Sequence, residues 1–415
     1  MKIYDIAVIG GGASGMIAAI AAAHTDGELS IAIAERNARV GKKILTTGNG
    51  RCNLTNTCID ISRYHGENVD FARTALAAVD YEATLAMFSS FGMYPKIEDG
   101  KVYPHSLQAS SVLDMLRMEL ERRHIEVICS FFCVSLEKDD EKFCISDGER
   151  KIYAKRVIVC VGGCAAPKCG TDGKSYSLIK KFGHRLTELC PSLVQMRCSH
   201  PGLRAMKGVK CDALVRIFVD DKFIKSDYGE LLFTDYGLSG PPIFQLSRIA
   251  SKAIAHCKKV TVKADLMNDI GETELYYLLL MRNKDVPVEE FLIGMLNKLC
   301  ARQLLRSVGV EKFNTDAGVL TDNMLKKLAH NIKNMSFAVT GTNSWDMAQV
   351  TAGGICTEKF YPSTMESKLV GGLYAAGEML DIDGDCGGFN LQWAWSSGTV
   401  AGESCAKSLA RKDKS

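Results

Sequence analysis

Six residues near the start of the chain have the types and spacing to hold a diphosphate: Gly10-Gly11-Gly12-Ala13-Ser14-Gly15. The run Lys2 to Ile9 before them reads as a buried strand. The small and apolar run to Ala23 after them reads as a tightly packed helix. Leu29 to Ala34 reads as a second strand that ends at Glu35. Strand, glycine turn, helix and a distant acid are the context a dinucleotide fingerprint requires. Gly10 permits the tight turn, Gly12 lets backbone approach a pyrophosphate, and Gly15 lets helix and strand pack closely. The helix N-terminus offers unpaired N–H groups and a partial positive charge to the phosphates. Glu35 is placed to accept hydrogen bonds from a ribose diol, and its charge argues against a 2′-phosphate. The fingerprint alone leaves NAD and FAD open.

A second candidate segment follows, Gly41 to Asn56, with Lys42, Lys43 and Arg51 set among glycines, threonines and asparagines. Glycines let the backbone run close to a flat or charged ligand, so this reads as a ligand-lining loop. Glycine-rich sequence returns near the other end. Val350 to Ile355 is one such turn, Gly371 to Glu378 reads as a strand ending in Gly-Glu, and Gly384 to Gln392 opens a helix through Gly402. The small residues Ala394, Gly398 and Ala401 of that helix suit close packing against a sheet.

The elements between must carry these turns. Residues 70 to 92 and 110 to 123 show apolar residues at helical spacing. Residues 125 to 128 read as a strand. Segments 132–136, 143–146 and 151–153 read as a small antiparallel meander. Arg156 to Val161 is a separate, fully apolar strand of the kind buried in a parallel sheet. Gly170-Thr171-Asp172-Gly173 then turns into a helix over 175–182. Beyond Cys190-Pro191 the order changes. Strand-like segments fill 192–265, helical ones 272–306 and 318–328, which marks an inserted domain.

The chain has 415 residues, enough for two or three domains, and 47% hydrophobic residues, an ordinary core content. Its formal net charge of +3 is spread along the chain. This pattern predicts a small-molecule substrate and no nucleic-acid partner, and it sets no oligomeric state. Residues 407–415 read as a frayed basic tail. No segment is long and apolar enough to span a membrane, and Asp5 with the glycine turn argues against a signal peptide. The 16 cysteines follow no extracellular disulfide framework. Cys129, Cys160 and Cys356 lie in apolar runs, and the spacing of Cys160, Cys164 and Cys169 fits no common zinc or iron–sulfur pattern. A reducing cytoplasm is the expected compartment.

Taken together, Gly10 to Gly15 with Glu35, Cys160-Val161-Gly162-Gly163, and Leu373 to Glu378 resemble the FAD-contacting segments of glutathione-reductase-type flavoproteins. Within that group the chain resembles the BaiN-like NAD(P)/FAD-dependent oxidoreductases, whose relatives include aminoacetone oxidase. The signatures are Gly41 to Asn56, Gly229 to Thr234 with Gly237 to Pro241, Val350 to Ile355, and Gly387 to Gly398, and the likeness covers nearly the whole chain. It implies an α/β fold: a Rossmann-like FAD-binding domain from residues 1–189 and 346–415. It implies an inserted substrate domain over 190–345, a β-barrel with a helical subdomain at about 267–330.

The resemblance also implies a site. Gly10, Gly12, Ala13, Ser14 and Gly15 would face the pyrophosphate, and Glu35 with Arg36 would hold the adenosine. The strand around Cys133 and Val134 would hydrogen-bond adenine through its backbone. Lys43, Gly48, Asn49, Gly50, Arg51, Cys52, Asn53, Thr351, Gly353 and Gly354 would lie along the flavin. Gly162 and Gly163 would let the chain pass the cofactor. Gly377, Glu378 and Asp385 would lie near the ribityl chain and pyrophosphate. The helix opening at Gly388, Asn390 and Leu391 would aim its N–H groups at the flavin O2/N1 edge, where reduction places negative charge. Asp235 and Tyr236 follow Leu232-Phe233-Thr234 where a histidine is expected in the family.

The expected activity is reduction of an activated C=C bond in a hydrophobic or carbonyl-conjugated substrate, a steroid-like one included, by hydride from flavin N5. NADH or NADPH would act as a transient reductant, because the insert holds no second fingerprint. Arg204, Tyr236 and Tyr176 are candidate proton donors, and no catalytic residue is assigned. The alternative activity is oxidation of a small amine or amino ketone with release of peroxide. A third reading is a flavin-binding redox sensor using cysteines 160, 164 and 169.

Overall fold

The computed structural model describes residues 2–139 and 141–410. The chain divides into two units, Met1–Leu189 with Gln349–Ser415, and Cys190–Ala348.

The first unit is built on a seven-stranded sheet. Its elements are β1 (Ile3–Ile9), α1 (Ala13–Thr25), β2 (Ile31–Ala34), α2 (Phe71–Ala78), α3 (Tyr81–Ser90), α4 (Ala109–Arg122), β3 (Glu126–Ile128), β4 (Ser135–Lys138), β5 (Phe143–Ser146), β6 (Lys151–Val159), β7 (Leu373–Ala375) and α5 (Phe389–Ala410). Strands β3, β2, β1 and β6 run parallel in that order, with β7 parallel on the far side of β6. Five adjacent parallel strands thus end at one edge, which is where ligands bind in open parallel sheets.

Several elements depart from the sequence reading. The third strand of the meander and the apolar strand after it are one strand, β6. Its first half pairs antiparallel with β5 and its second half pairs parallel with β1 and β7. Burial alternates over Lys151–Tyr153 and becomes continuous over Val157–Val159, so one strand carries both patterns. The helix expected over 70–92 is broken at Val79-Asp80, because the Asp80 side chain accepts the Ala83 N–H (2.8 Å) and starts α3 anew. The helix expected over 175–182 is a 3₁₀ turn followed by the short helix Ser177–Lys180. Residues 407–410 are the last turn of α5 rather than a frayed tail; residues 411–415 lie outside the described residues.

Helix α5 packs on α1, not only on the sheet. A Cβ at Gly398 would lie 2.6 Å from the Ser14 carbonyl oxygen, and one at Gly402 would lie 2.1 Å from that of Ala18. Two helices approach this closely only where one of them lacks side chains.

The second unit is a closed six-stranded barrel in the order Met196–Ser199, Gly237–Ser239, Lys222–Phe233, Lys210–Val219, Val260–Asp265 and Met335–Thr342. The last strand, absent from the sequence reading, closes it by pairing with both Met196–Ser199 and Val260–Asp265. Met196, Val215, Ile217, Leu231, Phe233, Val262 and Phe337 are fully buried. Helix Pro241–Ala255, which interrupts the expected strand-like stretch 192–265, packs in this unit together with helices Glu272–Leu280, Lys298–Ser307 and Asp322–Lys333. The continuous pattern expected over 272–306 is broken around Pro287. Buried Lys333 links helix and barrel through Asp265 Oδ2 (2.8 Å). Among the described residues no helix is long and apolar enough to cross a membrane.

Candidate functional site

The fingerprint turn is shaped by three close approaches. Gly10 has φ +103°, and a Cβ there would lie 2.4 Å from the Cys160 carbonyl oxygen. A Cβ on Gly15 would lie 1.9 Å from the Gly10 carbonyl oxygen, so strand and helix touch backbone to backbone. Gly12 differs: nothing lies within 4 Å of its missing Cβ. It occupies the N-cap of α1 without a side-chain cap. The first amides of α1, at Ala13, Ser14 and Gly15, have no intrahelical acceptor. This is an uncapped, positively polarised helix end beside open space.

Glu35 directly follows β2 and is buried. Its Oε2 accepts the Gly11 N–H (2.8 Å), and its Oε1 accepts the backbone and side-chain N–H groups of Asn37 (both 2.7 Å). A carboxylate has about four acceptor positions, so one on Oε2 is left for a further donor. Asn37, which the sequence reading passed over, holds the acid in place. Arg36 is used otherwise than expected. Its guanidinium pairs with Asp172 (3.0 Å) and lies over the Phe132 ring. Cys133 and Val134 belong to no strand, since β4 begins at Ser135. The Val134 N–H already donates to the Ser146 carbonyl (2.8 Å) and is not available to adenine.

A second cluster forms where β6 and β7 end. Glu378 Oε2 pairs with Lys43 Nζ (2.7 Å), and Oε1 accepts the Thr351 N–H (2.9 Å). Thr351 Oγ1 in turn accepts the amides of Cys164 and Ala165 (2.7 and 3.0 Å). Gly162 and Gly163 fit between them: their missing Cβ atoms would lie 2.7 Å from Thr171 Cγ2 and 2.3 Å from Thr351 Oγ1. The ion pair therefore joins residues 335 positions apart.

The Gly48 to Asn53 loop is left-handed in four places: Gly48, Asn49, Gly50 and Cys52 have φ of 56°, 54°, 82° and 58°. For Asn49 and Cys52 that conformation is costly and marks a constrained loop. Cys52 is buried and its thiol is pushed up to about 12 by desolvation, so it is no nucleophile. Arg51 stacks on Tyr103 and reaches Glu98 (3.5 Å). Asn53 Oδ1 is buried without a hydrogen-bond partner. It lies 2.9 Å from the missing Cβ of Gly388, immediately before α5. A buried orphan acceptor thus sits beside the N-terminus of α5, whose first amides, those of Phe389, Asn390 and Leu391, have no intrahelical acceptor.

Other expected contacts are taken up within the chain. Asp385 is held by His65 Nε2 (2.8 Å) and Arg63 Nε (3.4 Å). Asn390 spends its carboxamide on Gly384, accepting its N–H and donating to its carbonyl (both 2.8 Å). Gly377 donates to Ser397 Oγ and accepts from Trp393 Nε1. Gly353 and Gly354 are required by protein backbone, with missing Cβ atoms 2.2 Å from the Glu188 oxygen and 2.6 Å from the Leu380 carbonyl carbon. Of the donors considered, Tyr176 is buried. Cys160 and Cys164 have thiols pushed up to about 12 and about 11 by burial.

A dinucleotide-type Rossmann unit carrying an inserted barrel is the class this architecture defines. Residues 4–404 match the family described as HI0933-like protein Rossmann domain, and the chain belongs to that family. It is 39% identical over 406 residues to the 3-dehydro-bile acid delta(4,6)-reductase of Clostridium scindens, covering 97% of this chain and 99% of the relative. It is 28% identical over 421 residues to the ribosomal RNA dihydrouridine synthase of Haemophilus influenzae, covering 98% of each. Among solved structures it is similar to the 3-ketosteroid delta1-dehydrogenase of Sterolibacterium denitrificans. That match has a TM-score of 0.50 and 13% identity, over 98% of this chain and 100% of that one; at this identity it is a likeness of fold.

Proposed function

We propose that this protein is an FAD-dependent oxidoreductase that reduces a C=C bond conjugated to a carbonyl in a steroid-like substrate. The observation that carries it is the 39% identity, over nearly the full length of both chains, to a delta(4,6)-reductase. The dihydrouridine synthase relative supports the same bond chemistry. Dihydrouridine is uridine with its C5=C6 bond, conjugated to a ring carbonyl, reduced.

The residues fit FAD. The diphosphate would meet the uncapped α1 amides over Gly12, and a ribose hydroxyl would take the remaining position on Glu35. A flavin edge presents an imide N–H between two carbonyl oxygens. Asn53 Oδ1 is a buried acceptor for that N–H, and the α5 N-terminus supplies donors for a carbonyl. The chemistry FAD supplies when bound is two-electron hydride transfer from a reduced nicotinamide, NADH or NADPH, to the β-carbon of the conjugated carbonyl. The chain's part is to hold the ring with Asn53 and the Gly48–Asn53 loop. It also places the positive end of α5 where reduction puts negative charge. The inserted unit over 190–345 would supply the substrate wall, and the compartment would be the cytoplasm.

Anaerobic absorbance of the purified protein tests this. Bleaching of a bound flavin by NADH or NADPH, followed by reoxidation with a 3-keto-4,6-diene steroid, is the expected result. Bleaching by an amine with stoichiometric peroxide would replace the reading with the oxidase. Reoxidation by ribosomal RNA and not by the steroid would replace the substrate and restore the nucleic-acid partner the sequence argues against.

A further inference from the structure

The three residues that follow the Gly48–Asn53 loop are each tied to the start of α5. The Leu54 carbonyl accepts the Trp395 Nε1–H (2.9 Å), Thr55 Oγ1 donates to Gln392 Oε1 (2.5 Å), and Asn56 Nδ2 donates to the Gly387 carbonyl (2.8 Å). These bonds span 331 to 341 positions of sequence. Between them, a Cβ on Gly388 would lie 2.5 Å from the Thr55 carbonyl oxygen, so the loop and the helix start meet backbone to backbone. Gln392 is the hub. It is fully buried, and its Nε2 lies 2.8 Å from the Val79 carbonyl oxygen and 2.9 Å from both Thr84 Oγ1 and Ser396 Oγ. One carboxamide thus joins the loop, the first turn of α5 and the break between α2 and α3.

Stability alone does not call for such a residue. Burying a carboxamide carries a desolvation cost that its hydrogen bonds must offset, and a pair of apolar groups of like shape can serve as well. What the hydrogen bonds add is register. Apolar surfaces can slide, whereas a satisfied buried network fixes one arrangement. We propose that Gln392, through Thr55, is a positioning residue that locks the Gly48–Asn53 loop and the N-terminus of α5 into one body that stabilises the reduced flavin. This rests on the FAD reading above. Both side chains are fully buried and touch no ligand; they act through the backbone at Gly388 and the first amides of α5. With the clamp released, the positive helix end is no longer held where reduction places negative charge, and the flavin becomes harder to reduce.

Thr55→Val removes the hydroxyl and keeps the shape of the side chain. Its test is the midpoint potential of the bound flavin, read by anaerobic titration of the FAD-loaded protein against reference dyes, together with the apo affinity for ADP. The variant should prefer reduced over oxidised flavin up to about tenfold less than wild type, the range of a helix-end interaction. Tenfold is a fall of about 30 mV for a two-electron couple. The dissociation constant of ADP should not change. Thr55→Ser, which keeps the hydroxyl, should restore the wild-type potential. A lowered thermal midpoint with the potential unmoved overturns the inference, since the clamp would then only hold the core together. A Thr55→Ser potential as low as that of Thr55→Val overturns it too. Should Thr55→Val not fold, Trp395→Phe carries the same test. It removes the donor to Leu54 and keeps an aromatic ring against Phe88 (centroids 5.1 Å apart in wild type), and a wild-type potential in it overturns the inference. An unmoved potential in FAD-loaded variants leaves the cofactor reading standing. Wild-type protein that takes up no FAD overturns that reading and this inference with it.

Discussion

Two carboxylates stand at the same edge of the sheet, and they are held in different ways. Glu35, directly after β2, is caged by N–H groups from Gly11 and Asn37, and no cation among the described residues pairs with it. Glu378, past the end of β7, is paired with Lys43 and takes one backbone N–H from Thr351. A caged acid has its oxygens engaged by N–H groups and keeps one acceptor position for a further donor. A paired acid has its charge compensated locally and serves to fix a cation and a turn. The contrast teaches that one acid keeps an acceptor position open while the other ties several distant segments together.

The largest effect should come from the turn that supports both ends. Gly15→Ala puts a Cβ 1.9 Å from the Gly10 oxygen, so β1 and α1 must separate. We expect a loss of about 3–5 kcal/mol of stability and no visible flavin in the purified protein. Normal flavin content would show that the backbone contact is dispensable. Next is Glu35→Gln, which points an N–H group at donors that now find an acceptor. One of them is left unsatisfied, at about 1–3 kcal/mol. Because the defect lies at the adenosine end, ADP and FAD should weaken together. FAD weakened with ADP unchanged would break the comparison.

Much of this edge was legible in the chain. The fingerprint is local: its strand, turn, helix and acid all fall within the first 35 residues, Gly10 and Gly15 answer to close backbone contacts, and Gly12 faces open space. The charged residues were read less well. Arg36 and Arg51, expected at the ligand, face Asp172 and Glu98, and Asp385 faces His65, 320 positions away. A sequence displays a charge but not its counter-charge, which only the fold brings near. In the inserted unit strand-like segments were legible over 192–265 and the barrel was implied by the family resemblance, whereas the closing strand Met335–Thr342 was not legible. Strand β6 was divided because its two halves have different neighbours and so different patterns.

Lys43→Met sharpens the comparison from the other side. Lys43 and Glu378 keep 23% and 21% of their side-chain surface exposed, so the pair is partly screened. Its loss should cost about 1 kcal/mol, seen as weaker FAD with ADP unchanged. The wild-type advantage should shrink in high salt, while the effect of Glu35→Gln should not.

The smallest effect concerns a third buried titratable group of the same unit, one with neither a cage nor a counter-charge. His184 stacks on Phe360 and shares a hydrogen bond with Ser367 Oγ (2.9 Å), while its Nδ1 is buried without a partner. Burial pushes its pKa down to about 4. The sign follows from proton uptake. In the unfolded chain the ring binds a proton below about pH 6.5, whereas the folded chain resists until about pH 4. Unfolding therefore takes up a proton in that window. The stability this ring contributes is complete above pH 6.5 and is lost as pH falls, at a slope approaching ~1.4 kcal/mol per pH unit. Denaturant midpoints measured from pH 7.5 to 5 should fall for wild type. In His184→Leu this component of the slope should vanish, because Ser367 Oγ still accepts the amides of Leu369 and Val370. A variant with the wild-type slope would assign the acid sensitivity to another group.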